Sequence, residues 1–343
     1  MRRQIMFTAL LALLLIGGPA PSLAADTIQV TLPSFSVTLN GQTNSNQYSK
    51  YPLIVYKNIT YFPMTYYDCR LLGLKTNWTA DAGLVIDKNE DYFYEYLRDV
   101  TGNKNAKKQT AKLADGKITV NGKVIDNSKE EYPLLVFRDV TYFPLTWRFA
   151  VNEFGWDYRF DQQAGLVIGN DKVRLENPEE ELWEIMPYAE GHSGRGNRVQ
   201  FSFFFDGGTT ADGITMPLQR LQASPSPLRL VISNMGNVER FIDARITCQI
   251  YQQMEAQEEL VYWYALPPLH QKIEWAGHAY FTLTPCLWTS AQLEPGVYKI
   301  SLQTPDYFDC YRFGEEQPSQ LILHGPNREV EFLGESYPLY ITR

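Results

Sequence analysis

Four histidines, His192, His270, His278 and His324, are the side chains of this sequence best suited to shuttle protons or ligate a transition metal. A metal centre needs three or four ligands converging at short spacing. Here they are scattered: no His-x-His occurs, and Cys69, Cys248, Cys286 and Cys310 form no C-x-x-C pair. His270 and His278 read as ordinary, partly exposed histidines, so no metal and no cofactor is expected. Gly191-His192-Ser193-Gly194 has the outline of a nucleophile elbow, but that motif needs Gly two residues after Ser, where Arg195 stands. It reads as a hinge. Asp206-Gly207-Gly208 and Asp212-Gly213 lack the oxygen ligands of a calcium loop at their offsets and read as a hairpin connection. No catalytic residue is assigned, and the chain is expected not to be an enzyme. Exposed Tyr or Trp could still stack on sugar rings, and strand aromatics such as Tyr262-Trp263-Tyr264 supply candidates.

The elements around these residues are organised by a duplication. The run YPLIVYKNITYFPMT at 51–65 returns as YPLLVFRDVTYFPLT at 132–146. Such internal similarity fixes architecture before any local propensity is weighed. Around each copy the same devices recur in order. Asn40-Gly41 and Asn121-Gly122 are two-residue hairpin turns, since both residues tolerate positive φ. Tyr61-Phe62-Pro63 and Tyr142-Phe143-Pro144 end a strand, and the proline suits the first turn of a helix. In each Tyr-Phe pair the alternation predicts one core and one exposed side chain. Gly73 and Gly155 close the helices; Trp78 and Phe160 lie on the next strand; Gly83 and Gly165 open the last one. Equivalents stand 81 residues apart up to Thr65 and Thr146, and 82 apart from Gly73 and Gly155 onward, which places one inserted residue in the second helix. Cys69 falls opposite Ala150, so a small buried residue is expected there.

This order of turn, apolar strand, apolar-Pro-apolar, helix, Gly, aromatic and Gly-Leu-Val-Ile resembles the copper amine oxidase N-terminal, or stalk, domain. The resemblance covers about residues 28 to 175. It implies an accessory module, found in tandem in secreted and envelope proteins of spore-forming bacteria, without copper or catalytic residues. The Asn-Tyr-acid motif that would form the quinone is absent. Met64-Thr65 and Leu145-Thr146 depart from the family pattern, in which an apolar residue and Arg often follow the Pro.

The ends and the joints complete the reading. Arg2 and Arg3, the apolar run Ile5 to Ile16 and Ser22-Leu23-Ala24 form a signal peptide, 1–24. The mature chain is then secreted or extracytoplasmic, with no membrane span after cleavage. Repeats are expected over 25–87 and 117–175, with a polar connector over 88–116 that carries Tyr92 to Leu97 as a short helix or strand and an exposed lysine-rich stretch. Asn177-Pro178 followed by three Glu has the form of a helix start, so 176–197 reads as helix and hinge. From 198 to 343, strand-like runs alternate with turn-rich gaps, as in an antiparallel sandwich; Val231 to Asn237 and Leu293 to Ile300 resemble bacterial immunoglobulin-like and proteinase-inhibitor sandwiches. One disulfide among Cys248, Cys286 and Cys310 is left open. The formal charge is −8, and −10 once Arg2 and Arg3 are removed, which repels phosphate backbones and makes nucleic acid a poor partner.

The expected fold class is an α+β tandem repeat of two β-β-α-β stalk-like units followed by an all-β immunoglobulin-like sandwich. The expected function is a non-catalytic secreted or cell-envelope binding and scaffolding protein, with a cell-wall polymer or another extracellular protein as partner. The alternative is an extracellular proteinase inhibitor or regulator acting through the C-terminal sandwich.

Overall fold

The computed structural model describes residues 27–177 without a break. Beyond them it describes 183–186, 199–205, 214–221, 228–234, 240–244, 246–255, 257–267, 269–273, 278–282, 293–303, 307–312, 319–322, 330–333 and 336–343. The expected signal peptide, the start of the expected helix at 178–182, the expected hinge with His192 and Ser193, the expected hairpin connection at 206–213, Cys286 and His324 lie outside the described residues.

The first repeat supplies β1 (Thr27–Thr31), β2 (Val37–Leu39), β3 (Gln42–Asn44), β4 (Ile54–Tyr56), β5 (Ile59–Pro63), the helix α1 (Tyr66–Leu71), β6 (Leu74–Thr79) and β7 (Gly83–Lys88). A short strand, β8 (Glu95–Leu97), lies between the repeats. The second repeat supplies β9 (Lys108–Leu113), β10 (Ile118–Val120), β11 (Lys123–Val124), β12 (Leu135–Phe137), β13 (Val140–Pro144), β14 (Asp157–Asp161) and β15 (Gly165–Gly169). Turn chemistry sets the hairpins: Asn40 and Gly41 take φ of 42° and 78°, Asn121 and Gly122 take 48° and 77°, and Lys57-Asn58 and Arg138-Asp139 are left-handed at both residues as well. That is the twist a two-residue hairpin requires. The Asn side chains add a second role. Asn40 Nδ2 donates to Leu71 O at 2.6 Å and Asn121 Nδ2 donates to Glu153 O at 2.8 Å, so each turn satisfies a carbonyl at the end of its own repeat's helix.

The inserted residue has a visible consequence. Thr65 caps α1 through Asp68 N–H, and Thr146 caps the second helix through Phe149 N–H, but Trp147–Glu153 winds as a π-helix. One extra residue between fixed ends converts i→i+4 bonding to i→i+5. Pro63 and Pro144 do not open these helices. They end β5 and β13, where Tyr142 pairs with Pro63 and Pro144 with Tyr61.

The expected pair of separate β-β-α-β units is not what forms. The chain is mostly β, and the described residues contain two α-helices, six residues in α1 and four in Leu218–Leu221. Strands β1, β4, β5, β13, β12 and β9 close into one barrel drawn from both repeats. Its two-fold passes between equivalent residues: Phe62 pairs with Phe143, and Gln29 pairs with Thr110. The outer sheets are exchanged too, since β2 lies parallel on β15 and β10 parallel on β7. The end of the exposed lysine-rich stretch is β9, a barrel strand and not part of a loop, with four of its six residues exposed as expected. The exchange leaves neither β7 nor β15 with an open inner edge, since the other copy's first hairpin pairs with it. Tyr61 and Tyr142 face the barrel interior with Val30, Ile54, Leu135 and Phe137. Phe62 and Phe143 face a second core beside Trp156, Phe149 and Leu72. All four aromatics are therefore buried, against the expectation that one of each pair would be exposed; both faces of the barrel wall are covered.

The C-terminal half also departs from the expected two-sheet antiparallel sandwich. Its described strands form three sheets. Trp183–Met186, expected as helix, is a strand beside His278–Thr282. Two sheets carry a parallel pair, Val199–Phe205 with Val330–Leu333 and Ile214–Pro217 with Ser336–Thr342. A third departure joins the halves: β8 adds antiparallel to the edge strand Glu258–Ala265. At that seam the ion pair between Arg98 and Glu259 (3.3 Å) is nearly sealed, with side-chain exposures of 6% and 2%. Trp263 packs between Phe93 and Tyr96, and Tyr262 Oη donates to Glu95 at 3.1 Å.

Residues 25–115 alone contain β2 and β7 but neither β15 nor β13, so this fragment is expected to show no cooperative thermal transition by circular dichroism, while 25–177 melts as one unit. Glu259→Leu leaves the Arg98 charge buried and is expected to cost about 3–5 kcal/mol in urea unfolding. The double change Arg98→Met with Glu259→Leu should recover most of that loss.

Candidate functional site

Two indoles stand out as exposed among the described side chains, Trp78 at 70% and Trp147 at 68%. Trp78 lies on a hairpin of the first repeat, on β6, and pairs with Leu84 of β7. It borders an open groove of about 500 Å³ between the two repeats, within the size range of small-ligand sites. Met64, Leu84, Ile118, Val136 and Val140 give an apolar floor, while Asn77, Asp115, Lys117, Asp139 and Thr141 bring polar groups to the rim. The strand exchange sets the width. Leu84 N–H donates to Lys117 O at 3.0 Å, and a Cβ on Gly83 would stand 2.1 Å from that oxygen, so only glycine permits the approach.

The two-fold places an equivalent surface at Phe160, where a second ring stands beside the aromatic. There Leu166 N–H donates to Ser36 O at 2.9 Å and Gly165 meets the same steric limit. Phe35, half-buried, packs edge-on against Phe160 with centroids 5.2 Å apart. The residue 81 positions after Phe35 is Gly116, which lines the Trp78 groove and has nothing within 4 Å of where its Cβ would be. Both aromatics are exposed, Phe160 at 59% and Trp78 at 70%, but only Phe160 has the Phe35 ring beside it, the equivalent residue near Trp78 being glycine.

A second cavity of about 420 Å³ shares Met64 and Val140 with the groove and is lined by Tyr51, Thr65, Tyr66, Asp68, Arg98 and Asp99, among others. Asp68 is buried at the start of α1. It accepts from Thr65 Oγ1 at 2.6 Å and from Tyr96 Oη at 2.7 Å, while Thr65 Oγ1 accepts from its N–H at 3.2 Å. Burial pushes its carboxyl above the ordinary 3.8, opposed by the two hydroxyl hydrogen bonds and the Arg98 charge. The Tyr96 phenol is pushed far up by burial and by Asp68.

The repeat-signature residues divide accordingly. Asn40, Gly41, Asn121, Gly122, Gly73 and Gly155 are turn and cap positions, Tyr61, Phe62, Pro63, Tyr142, Phe143 and Pro144 build the two cores, Gly83 and Gly165 permit the exchange, and Trp78 and Phe160 reach the surface. Cys69 and Ala150 are both fully buried, as their alignment predicts, and Cys69 and Cys248 are free thiols, with burial raising the Cys248 thiol to about 12. That removes Cys248 from the three cysteines left open for a disulfide. His270 and His278 lie on strands of different sheets. Among the described residues no three His, Cys, Asp or Glu side chains group as a metal site, and no helix is long and apolar enough to cross a membrane. Tyr262, Trp263 and Tyr264, candidates for sugar stacking, are buried against the connector. Sequence reading missed Asp68, Tyr96, Arg98 and Glu259. The capping pattern Thr65-x-x-Asp68 was a usable signal for the first of these, whereas the others meet only in space.

No protein family, curated protein or solved structure matches this chain.

Because the folded state holds the Asp68 proton more tightly than the unfolded chain, Asp68 costs stability as pH rises through and above its unfolded value. Asp68→Asn removes that slope. The stability of wild type relative to Asp68→Asn is expected to fall as pH increases from about 4 toward neutrality, measured by urea midpoints across pH.

Proposed function

We propose that this is a non-catalytic binding and scaffolding protein that works outside the cytoplasm, at or beyond the cell envelope. The observation that carries the reading is the Trp78 groove: a large aromatic face held in the open on a strand, over an apolar floor rimmed by hydrogen-bonding side chains. Exposing an indole leaves apolar surface in water that folding could recover by covering it. An aromatic left open beside a concave surface is the arrangement expected where a partner provides the cover. The leader-like residues 1–24 and the resemblance to the stalk module support placement outside the cell. The seam at β8 supports the scaffolding half of the reading, because it fixes the groove relative to the C-terminal sheets.

The test is co-sedimentation of the mature protein with purified cell wall. Saturable retention in the wall pellet that soluble extracellular proteins do not compete away supports a wall polymer as partner. Competition by such a protein shifts the partner to that protein. Release of the chain into the supernatant with no retained fraction under either condition counts against the reading.

A further inference from the structure

We propose that the Trp78 groove is a binding site for an uncharged glycan chain, with one N-acetylated pyranose stacked on the indole. This rests on the binding role proposed above and names the ligand class of that site.

Three observations converge on it. A pyranose ring has one apolar face of C–H groups and a belt of hydroxyls, so its recognition needs a flat aromatic surface beside hydrogen-bonding side chains. Trp78 supplies the surface, and Asn77, Asp115 and Asp139 supply acceptors and a donor at the rim. The floor of Met64, Leu84 and Val140 offers an apolar seat for an acetyl methyl, while the carboxylates can accept the amide N–H. The rim charge argues against an anionic polymer: two carboxylates, Asp115 and Asp139, face one ammonium, Lys117, and a phosphate-bearing chain would be repelled.

The molecule also carries an internal comparison. The barrel two-fold builds the same strands, the same glycine approach and an aromatic at the same position in both repeats. At the second position Phe35 packs edge-on against Phe160, which stays 59% exposed, whereas the residue equivalent to Phe35 beside Trp78 is Gly116, with open space where a side chain would stand.

Isothermal titration with N-acetylchitohexaose tests the proposal on the mature full chain. Wild type is expected to bind saturably at one site per chain. Trp78→Ala should weaken binding at least about tenfold, the loss expected of an aromatic anchor. Gly116→Phe, which sets a ring into open space at the groove wall, should do the same without lowering the melting temperature, and Phe160→Ala should bind as wild type. Polyglycerol phosphate should not bind. Failure of wild type to bind the oligosaccharide, wild-type affinity in both Trp78→Ala and Gly116→Phe, or binding of polyglycerol phosphate at the same site would overturn the proposal. Wall co-sedimentation of the same variants separates the two readings. Retention of every variant with the wall leaves the binding role standing and removes the groove; oligosaccharide binding without wall retention does the reverse.

Discussion

The pairing of Phe62 with Phe143 across the barrel two-fold is the constraint on which the rest of the first half depends. Because equivalent residues meet each other, β5 and β13 must run antiparallel, and the two repeats must face each other. Each repeat's last strand then lies beside the other's first hairpin, and the parallel pairs β2–β15 and β10–β7 follow. Neither repeat owns a complete sheet. The aromatic cores on the two faces of the barrel wall are products of the same arrangement, since Tyr61 and Tyr142 fill the inside while Phe62 and Phe143 fill the outside.

The seam extends this rigidity to the C-terminal half. A connector that might have been a tether instead lends three residues to a sheet, and the neighbouring Arg98 reaches Glu259 out of solvent. A buried ion pair adds little net stability over an apolar substitute, but it penalises every other register of the strand pairing. Asp68 links this seam to the barrel, because its carboxylate is shared between the α1 cap and the Tyr96 hydroxyl of β8. The helix start, the connector strand and the C-terminal sheet are thus held by one polar chain.

On this symmetric frame the two copies differ in detail. Gly116 leaves open space beside Trp78 where Phe35 sets a ring against Phe160, and both aromatics stay exposed. Duplication offers this economy: the scaffold is specified twice, and the surface of each copy is free to differ. The exposed indole lies on a strand held by main-chain pairing, so the groove's geometry is set by the sheets and does not rely on loops.

The sequence by itself determined the repeat, its turns and its caps. Asn-Gly turns, the glycines at 73 and 155 and the capping threonines act within a few residues of themselves, so their geometry is written locally. The extra residue of the second helix was legible too, as a shift in repeat spacing, although its winding as a π-helix was not. Most of the longer strand runs after 198 were legible as well, because β-branched and aromatic residues mark them. What only the tertiary structure decided was which strands pair. A strand's side-chain pattern says that it needs a neighbour and not which one, so exchange between repeats, closure of the barrel and capture of β8 by a strand more than 150 residues away could not be read from periodicity. The site divides the same way. Trp78 was visible as a repeat position, and the contrast of Phe35 with Gly116 was present in the aligned sequence. Its meaning appeared only once the exchanged strands had brought residue 116 beside residue 78, since exposure is a property of what packs nearby and not of the residue itself.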